Sequence, residues 1–224
     1  MEYLMINFQL IYSYLPLLLQ GAATTLYIAG LSCAIGLIGG IILALMQTNG
    51  NKLLSSVVTL YVTIIRGTPM LIQIAFFYYA ILPTLGITIS ALYAAIIAIG
   101  LNSTAYISQV VRSGILSVSK GQIEAAKTLG LSIWQTIYYI VLPQALRVVI
   151  PSLGNEFITL IKDSSLAYTI GVVELYKQGI TMRSLTLDAM TTYTAIALVY
   201  LVMTTTLSIG MNALESKLNA PIAQ

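Results

Sequence analysis

Apolar positions run along this chain in blocks too long for a soluble core, and polar residues fall mostly in the short gaps between them. About 20 apolar residues cross the hydrocarbon core of a bilayer, so the charge-free blocks locate membrane spans. The first runs from about Leu15 to Met46. The second, Leu53 to Leu82, is broken near its middle by Arg66-Gly67-Thr68-Pro69. The third covers Ile87 to Val111, the fourth Pro143 to Ile161, and the fifth about Asp188 to Leu214. The pattern predicts an all-α integral membrane protein, with residues 1–224 forming one transmembrane domain of five helices. Ahead of the first span, residues 3–14 carry Asn7, Gln9 and Ser13 and lead to Pro16, which predicts an amphipathic helix lying in the interface. No positive region precedes the apolar stretch, so a cleaved signal peptide is not expected.

Composition agrees with lipid as the solvent: of 224 residues, 58% are hydrophobic and only 8% charged. The net charge of +3 is spread among loops and forms no basic stripe, which excludes a nucleic-acid partner. With Cys33 the single cysteine and no histidine, the chain can form neither an internal disulfide nor a Cys/His metal cluster. An outside N-terminus would place Lys52, Arg112, Lys120, Lys127 and Lys217 on the inner face. Lys162, Lys177 and Arg183 would then share one outer loop, so the positive-inside bias predicts N-out and C-in.

One inner loop, residues 117–142, departs from the lipid pattern. Its stretch "SKGQIEAAKTLGLSIWQTIYYIVLP", Ser119 to Pro143, reads as a short polar helix. Ser119 with Gln122 has capping-box spacing, and Gly130 supplies the positive-φ stop. Ile123, Ala126 and Leu129 recur at helical spacing as a small apolar face. Ser132 with Gln135 repeats the box, Trp134, Tyr138 and Tyr139 suit the headgroup boundary, and Pro143 fits the first turn of the next span. On the residues alone the loop is either an interfacial connector or a docking knob for an inner-face partner.

Ionised groups inside spans need partners or a water-filled cavity, since each costs about 2.5–3.5 kcal/mol on insertion scales. Arg66, Arg147 and Glu156 fall in this class. Gly67 and Pro69 can break the second span, freeing backbone groups that only a protein-lined cavity tolerates; a purely structural kink at Arg66 is the competing reading. Glu156 and Asp163, two turns apart, share one helical face about 10 Å apart along the axis. Arg147 and Glu156 lie on nearly opposite faces. Glu156 could instead pair with a neighbouring span, Arg66 being the candidate, and Asp163 could be a solvated span end. Asn102, with Ser103 and Thr104, makes a polar patch in the third span that could equally be interhelical hydrogen bonding.

The loop resembles a known family. Glu124-Ala125-Ala126, Gly130, and Ile140 with Leu142-Pro143 match the EAA signature of ABC importer permeases in residue type and spacing. "RGTPMLIQ" (Arg66 to Gln73), "AYISQVVRSGILSVSKGQIEAA" (Ala105 to Ala126) and "NEFITLIKDSSL" (Asn155 to Leu166) are similar to the polar amino acid branch, the histidine, arginine and glutamine type. Ser108-Gln109 stands where that branch commonly has Ala-Glu, and Ser113 where it has Gly, which puts in doubt any ion pair from Arg112 to position 109. The resemblance implies a type I ABC importer transmembrane fold in the cell membrane, with the loop as a coupling helix docking on an ATP-binding subunit. It implies a second permease chain, identical or homologous, and an external amino-acid-binding protein. It implies no cofactor in this chain, ATP and Mg residing on the partner subunit; the chain itself has no G-x-x-x-x-G-K-[ST] phosphate loop. Glu156, Asp163 and Asn102 are the candidate substrate residues, with a basic amino acid favoured and glutamine the alternative, and Arg66 to Pro69 are the candidate gate. An ion-coupled carrier is disfavoured by five unrepeated spans, and a membrane enzyme by the lack of acid–base residues.

Overall fold

The computed structural model describes residues 6–218, which are helical throughout with no strand among them. Helix α1 (Phe8–Asn49) starts on Asn7, whose side chain accepts from Leu10 N at 3.0 Å. Of the expected interfacial helix 3–14, residues 3–5 lie outside the described residues. From Phe8 onward the segment is the first turns of α1, not a helix of its own. Pro16 does not end it, because Leu10, Ile11 and Tyr14 pack on the cluster of Leu18, Leu175 and Met182 and hold that segment in line.

The second span is two rods. Helix α2 (Lys52–Gly67) meets the rod of α3 (Met70–Phe76), a π-turn (Phe77–Ile81) and α4 (Leu82–Thr84) at 106°. Helix α5 (Ala91–Leu116) is the centre of the molecule, packed against α1 along its length and also against α2, α3 and α8. The short helix α6 (Lys120–Thr128) follows, then α7 (Ile133–Thr136), a second π-turn (Ile137–Val141) and α8 (Leu142–Asp163) as one continuous rod. A 3₁₀ segment (Ser164–Ile170), α9 (Leu175–Thr186) and α10 (Ala189–Leu218) complete the chain.

Both π-turns precede a Leu-Pro pair, in "FYYAILP" (77–83) and "IYYIVLP" (137–143). A proline inside a helix clashes with the carbonyl a turn before it and donates no hydrogen bond. The wider π-turn moves that carbonyl aside: Leu82 N donates to Phe77 O and Leu142 N to Ile137 O. Pro143 therefore stands in the first turn of α8, as expected, but the rod that α8 continues begins earlier, at Ile133.

The α1–α5 contact is close because glycines line it. A Cβ on Gly36 would lie 2.5 Å from Ser103 Oγ, and one on Gly40 3.0 Å from the Ser108 backbone nitrogen. Gly36 and Gly40 are one turn apart, the small-residue spacing that lets helices approach in lipid. On the α9 side, the fully buried Glu174 caps its helix, accepting from Tyr176 N and Lys177 N at 2.8 Å and from Tyr200 Oη at 3.1 Å. That carboxylate ties α9 to α10.

Gly40→Val should force α1 away from α5 and lower stability by about 1–3 kcal/mol, read as a lower thermal unfolding midpoint in detergent. Gly30→Ala, where a Cβ meets nothing within 4 Å, should lower it not at all.

Candidate functional site

A helix broken in lipid must find new partners for the backbone groups it releases. At the break after α2, the carbonyl of Ile65 would ordinarily accept from residue 69, but that residue is proline. Gln73, one turn into α3, replaces the missing donor: its Nε2 donates to Ile65 O at 2.7 Å, to Thr68 O at 3.0 Å and to Thr68 Oγ1 at 2.7 Å. Thr68 Oγ1 in turn donates to Ile64 O at 2.9 Å. The other end of the Gln73 amide, Oε1, accepts from Asn102 Nδ2 at 2.8 Å. The break is thereby fastened to the middle of α5.

Beside this junction lies a cavity of about 150 Å³. Thr68 and Met70 line it from the break, Asn102 and Tyr106 from α5, and Glu156, Thr159 and Asp163 from α8. Asn102 is about 16 Å along α5 from its start, near mid-membrane by helical rise. The three expected substrate residues thus face one space, and Thr68 of the expected gate joins them. Glu156 Oε1 accepts from Ser103 Oγ at 3.3 Å, so its observed partner is a hydroxyl of the α5 polar patch. Arg66 is exposed and turned over the Tyr106 ring, 5.2 Å from its centroid, without lining the cavity itself. Asp163 is half-buried at the end of α8, neither enclosed nor fully solvated. Gly67 and Pro69 are exposed and shape the break without lining the cavity, and Arg147 is exposed on α8 away from it.

The cavity's hydrogen-bonding character is one-sided. Thr68 and Thr159 commit their hydroxyl protons to the carbonyls of Ile64 and Asn155. What remains in the lining is oxygen lone pairs and two carboxylates, with Tyr106 as the hydroxyl donor among the lining residues. Such a lining suits an ammonium, guanidinium or amide group.

The loop of residues 117–142 holds two short helices, of which α7 is capped as expected and α6 is not. Ser132 and Gln135 form the reciprocal capping box: Gln135 N donates to Ser132 Oγ at 3.3 Å and Ser132 N to Gln135 Oε1 at 2.8 Å. Ser119 occupies the N-cap of α6 but its side chain makes no capping bond, because Gln122 N donates to the Ser119 carbonyl at 3.1 Å, and the reciprocal arm is lost because Gln122 Oε1 accepts from Gln144 of α8. Gly130 has φ +76°, as a helix stop requires. Of the expected apolar face, Ala126 is buried and Ile123 half-buried, while Leu129 is 81% exposed. Glu124 and Ala125 are exposed, as are Leu142 and Pro143.

Residues 36–220 match the family model of binding-protein-dependent transport system inner membrane components. The chain belongs to this family. It is 40% identical over 91% of its length, and 94% of the relative's, to the glutamine transport system permease protein GlnP of Escherichia coli (strain K12). It is 39% identical over 96% of its length, and 97% of the relative's, to the probable amino-acid permease protein YxeN of Bacillus subtilis (strain 168). A crystal structure of an amino acid ABC transporter with histidines superposes with a TM-score of 0.88 at 35% identity, covering 95% of this chain and 99% of that one. The chain is an amino-acid ABC transporter permease with the type I importer fold, a multi-pass protein of the plasma membrane and not itself catalytic. The family works with ATP-binding subunits and a substrate-binding protein.

Within this permease, Gln73 is the residue that sequence reasoning passed over, although it closes the "RGTPMLIQ" stretch. The signal was its place one turn after a proline that leaves a carbonyl without a donor. Tyr106 and Thr159 were also passed over, being indistinguishable in sequence from ordinary interfacial or helix-bonded side chains. At position 109 the amide donates to Gln47 Oε1 at 3.0 Å and Ser108 Oγ at 3.2 Å, and Arg112 makes no pair there; its Nε is enclosed without a partner among the described residues.

Ser132→Ala should remove a cap worth about 1 kcal/mol and speed hydrogen exchange of the amides of residues 133–136 roughly fivefold. Ser119→Ala should leave exchange in α6 unchanged, because its hydroxyl caps nothing.

Proposed function

We propose that this permease carries a basic amino acid through a path that passes the Asn102–Glu156–Asp163 cavity, driven by ATP hydrolysed with Mg on a separate subunit. The observation that carries the reading is the convergence of two carboxylates and an amide from α5 and α8 on one space near mid-membrane. Each charge-assisted hydrogen bond there contributes about 1.5–3 kcal/mol, enough to discriminate tenfold or more. Arg66, stacked on the Tyr106 that lines the cavity, supplies the cation that the substrate's α-carboxylate requires. A glutamine-type substrate is the second reading: a relative named for glutamine transport is 40% identical, and a side-chain amide offers two N–H donors to the same acceptors.

In this reading α6 and the turn to Gly130 form the coupling helix, and its exposed Glu124, Ala125 and Leu129 meet the ATP-binding subunit. Leu142 and Pro143 anchor the same loop to α8, which carries Glu156 and Asp163, so a push on the loop reaches the cavity along one rod. A second permease chain completes the path, an external binding protein delivers the amino acid, and the N-terminus lies outside with the C-terminus inside. ATP binding then biases the equilibrium between inward-open and outward-open states.

Uptake of labelled arginine and glutamine by the reconstituted complex tests the substrate. Glu156→Gln and Asp163→Asn should each weaken apparent arginine affinity by about tenfold or more while glutamine is affected less. Unchanged arginine affinity in both variants would overturn the site. Equal loss of both substrates in an assembled complex would assign the carboxylates to the shared ammonium and remove the support for a basic side chain.

The coupling role has its own test. Glu124→Lys or Gly130→Pro should leave the chain inserted but reduce copurification with the ATP-binding subunit or uncouple its hydrolysis from uptake. Exposed-helix substitutions seldom shift stability by more than about 0.5 kcal/mol, so loss of transport in an inserted chain marks docking. Normal substrate-stimulated hydrolysis and uptake in both variants would contradict it.

A further inference from the structure

The orientation of one amide decides what Asn102 offers the cavity. An asparagine side chain can present either a carbonyl acceptor or an NH₂ donor, and nothing intrinsic to it chooses. Here the choice is made by Gln73. Its own orientation is fixed, because Nε2 faces the backbone carbonyls of Ile65 and Thr68, which can only accept. Its Oε1 must then take the Asn102 nitrogen, at 2.8 Å. Asn102 Oδ1 takes no donor from the described residues and is not among the enclosed unpartnered atoms, so it is the atom left to the cavity that Asn102 lines.

We propose that Gln73 is a specificity-determining residue: by reading the broken end of α2 with one end of its amide and holding Asn102 Nδ2 with the other, it sets the cavity to accept hydrogen bonds. The inference rests on the reading of that cavity as the substrate site. A substrate group that donates is matched by Asn102 Oδ1, Glu156 and Asp163 together, while an acceptor or apolar group of the same size meets unpaired oxygens. Discrimination follows from the unmet acceptors, which cost more when left alone than a made bond gains. Gln73 does not reach the cavity lining itself, so it acts through Asn102.

The test is binding of labelled arginine and labelled glutamine to the assembled permease–ATPase complex, with norleucine, which has a methyl end and no side-chain donor, as competitor. Gln73→Met keeps the volume and removes every amide bond. It should weaken binding of the two donor substrates by about tenfold and narrow their advantage over norleucine by a similar factor. Adding Asn102→Asp should restore the advantage, since a carboxylate presents oxygen in either orientation. If Gln73 only holds the break together, Asn102→Asp will not rescue Gln73→Met, and the proposal fails. If Glu156→Gln and Asp163→Asn weaken binding while Gln73→Met leaves both affinity and selectivity intact, the proposal fails and the cavity reading stands. If none of these substitutions changes binding, the cavity reading itself fails.

Discussion

Everything near the candidate site depends on a rule of the hydrocarbon interior: no backbone carbonyl or amide can be left without a partner. The second span violates helical continuity at Gly67, Thr68 and Pro69, and the violation persists only because Gln73 and Thr68 take over the carbonyls of Ile65 and Ile64. The same amide then reaches Asn102. A local repair of the backbone thus becomes the element that orients a polar side chain at mid-membrane. The 106° bend that the repair permits brings Thr68 and Met70 against α5 and α8, where they close the cavity.

The remaining architecture holds the polar faces in register. Glycines at 36 and 40 let α1 approach the face of α5 that carries Ser103, and Ser103 is the residue whose hydroxyl supports Glu156. Tyr61 Oη donates to Leu101 O at 2.6 Å, fixing α2 to α5 just before Asn102. On the other side, α8 carries both carboxylates and continues back through a π-turn to the loop that holds α6 and α7. The α6–α7 loop and the cavity are therefore joined by one rod. Neither π-turn follows from the shared Tyr-Tyr pair alone, since each stands directly ahead of a Leu-Pro pair that would otherwise clash.

Features set by local pattern were legible in the sequence: the spans, the break at residues 66–69, the Ser132–Gln135 box, the positive φ of Gly130 and the shared face of Glu156 and Asp163. Features set by distant partners were not. The role of Gln73 requires knowing that Asn102, 29 positions away, comes within reach. Ser119 and Gln122 have the spacing of a capping box, but Gln122 N turns to the Ser119 carbonyl and the Gln122 side chain to Gln144, a partner that only the packing of α8 against the loop supplies. Glu174 was passed over for the same reason; its carboxylate is wholly buried, and Tyr200 approaches from another helix. Leu129 reads as part of an apolar face, yet no other part of the described chain covers it.

The central claim is that an amino acid passes through the space between the break, α5 and α8, held there by Asn102, Glu156 and Asp163. A structure of the assembled importer solved with its amino acid bound tests this directly. The account predicts density for the substrate between Asn102 and the two carboxylates, its donor groups towards Asn102 Oδ1 and its carboxylate towards Arg66. Density for the amino acid on another set of helices, with this cavity holding only water, would contradict it.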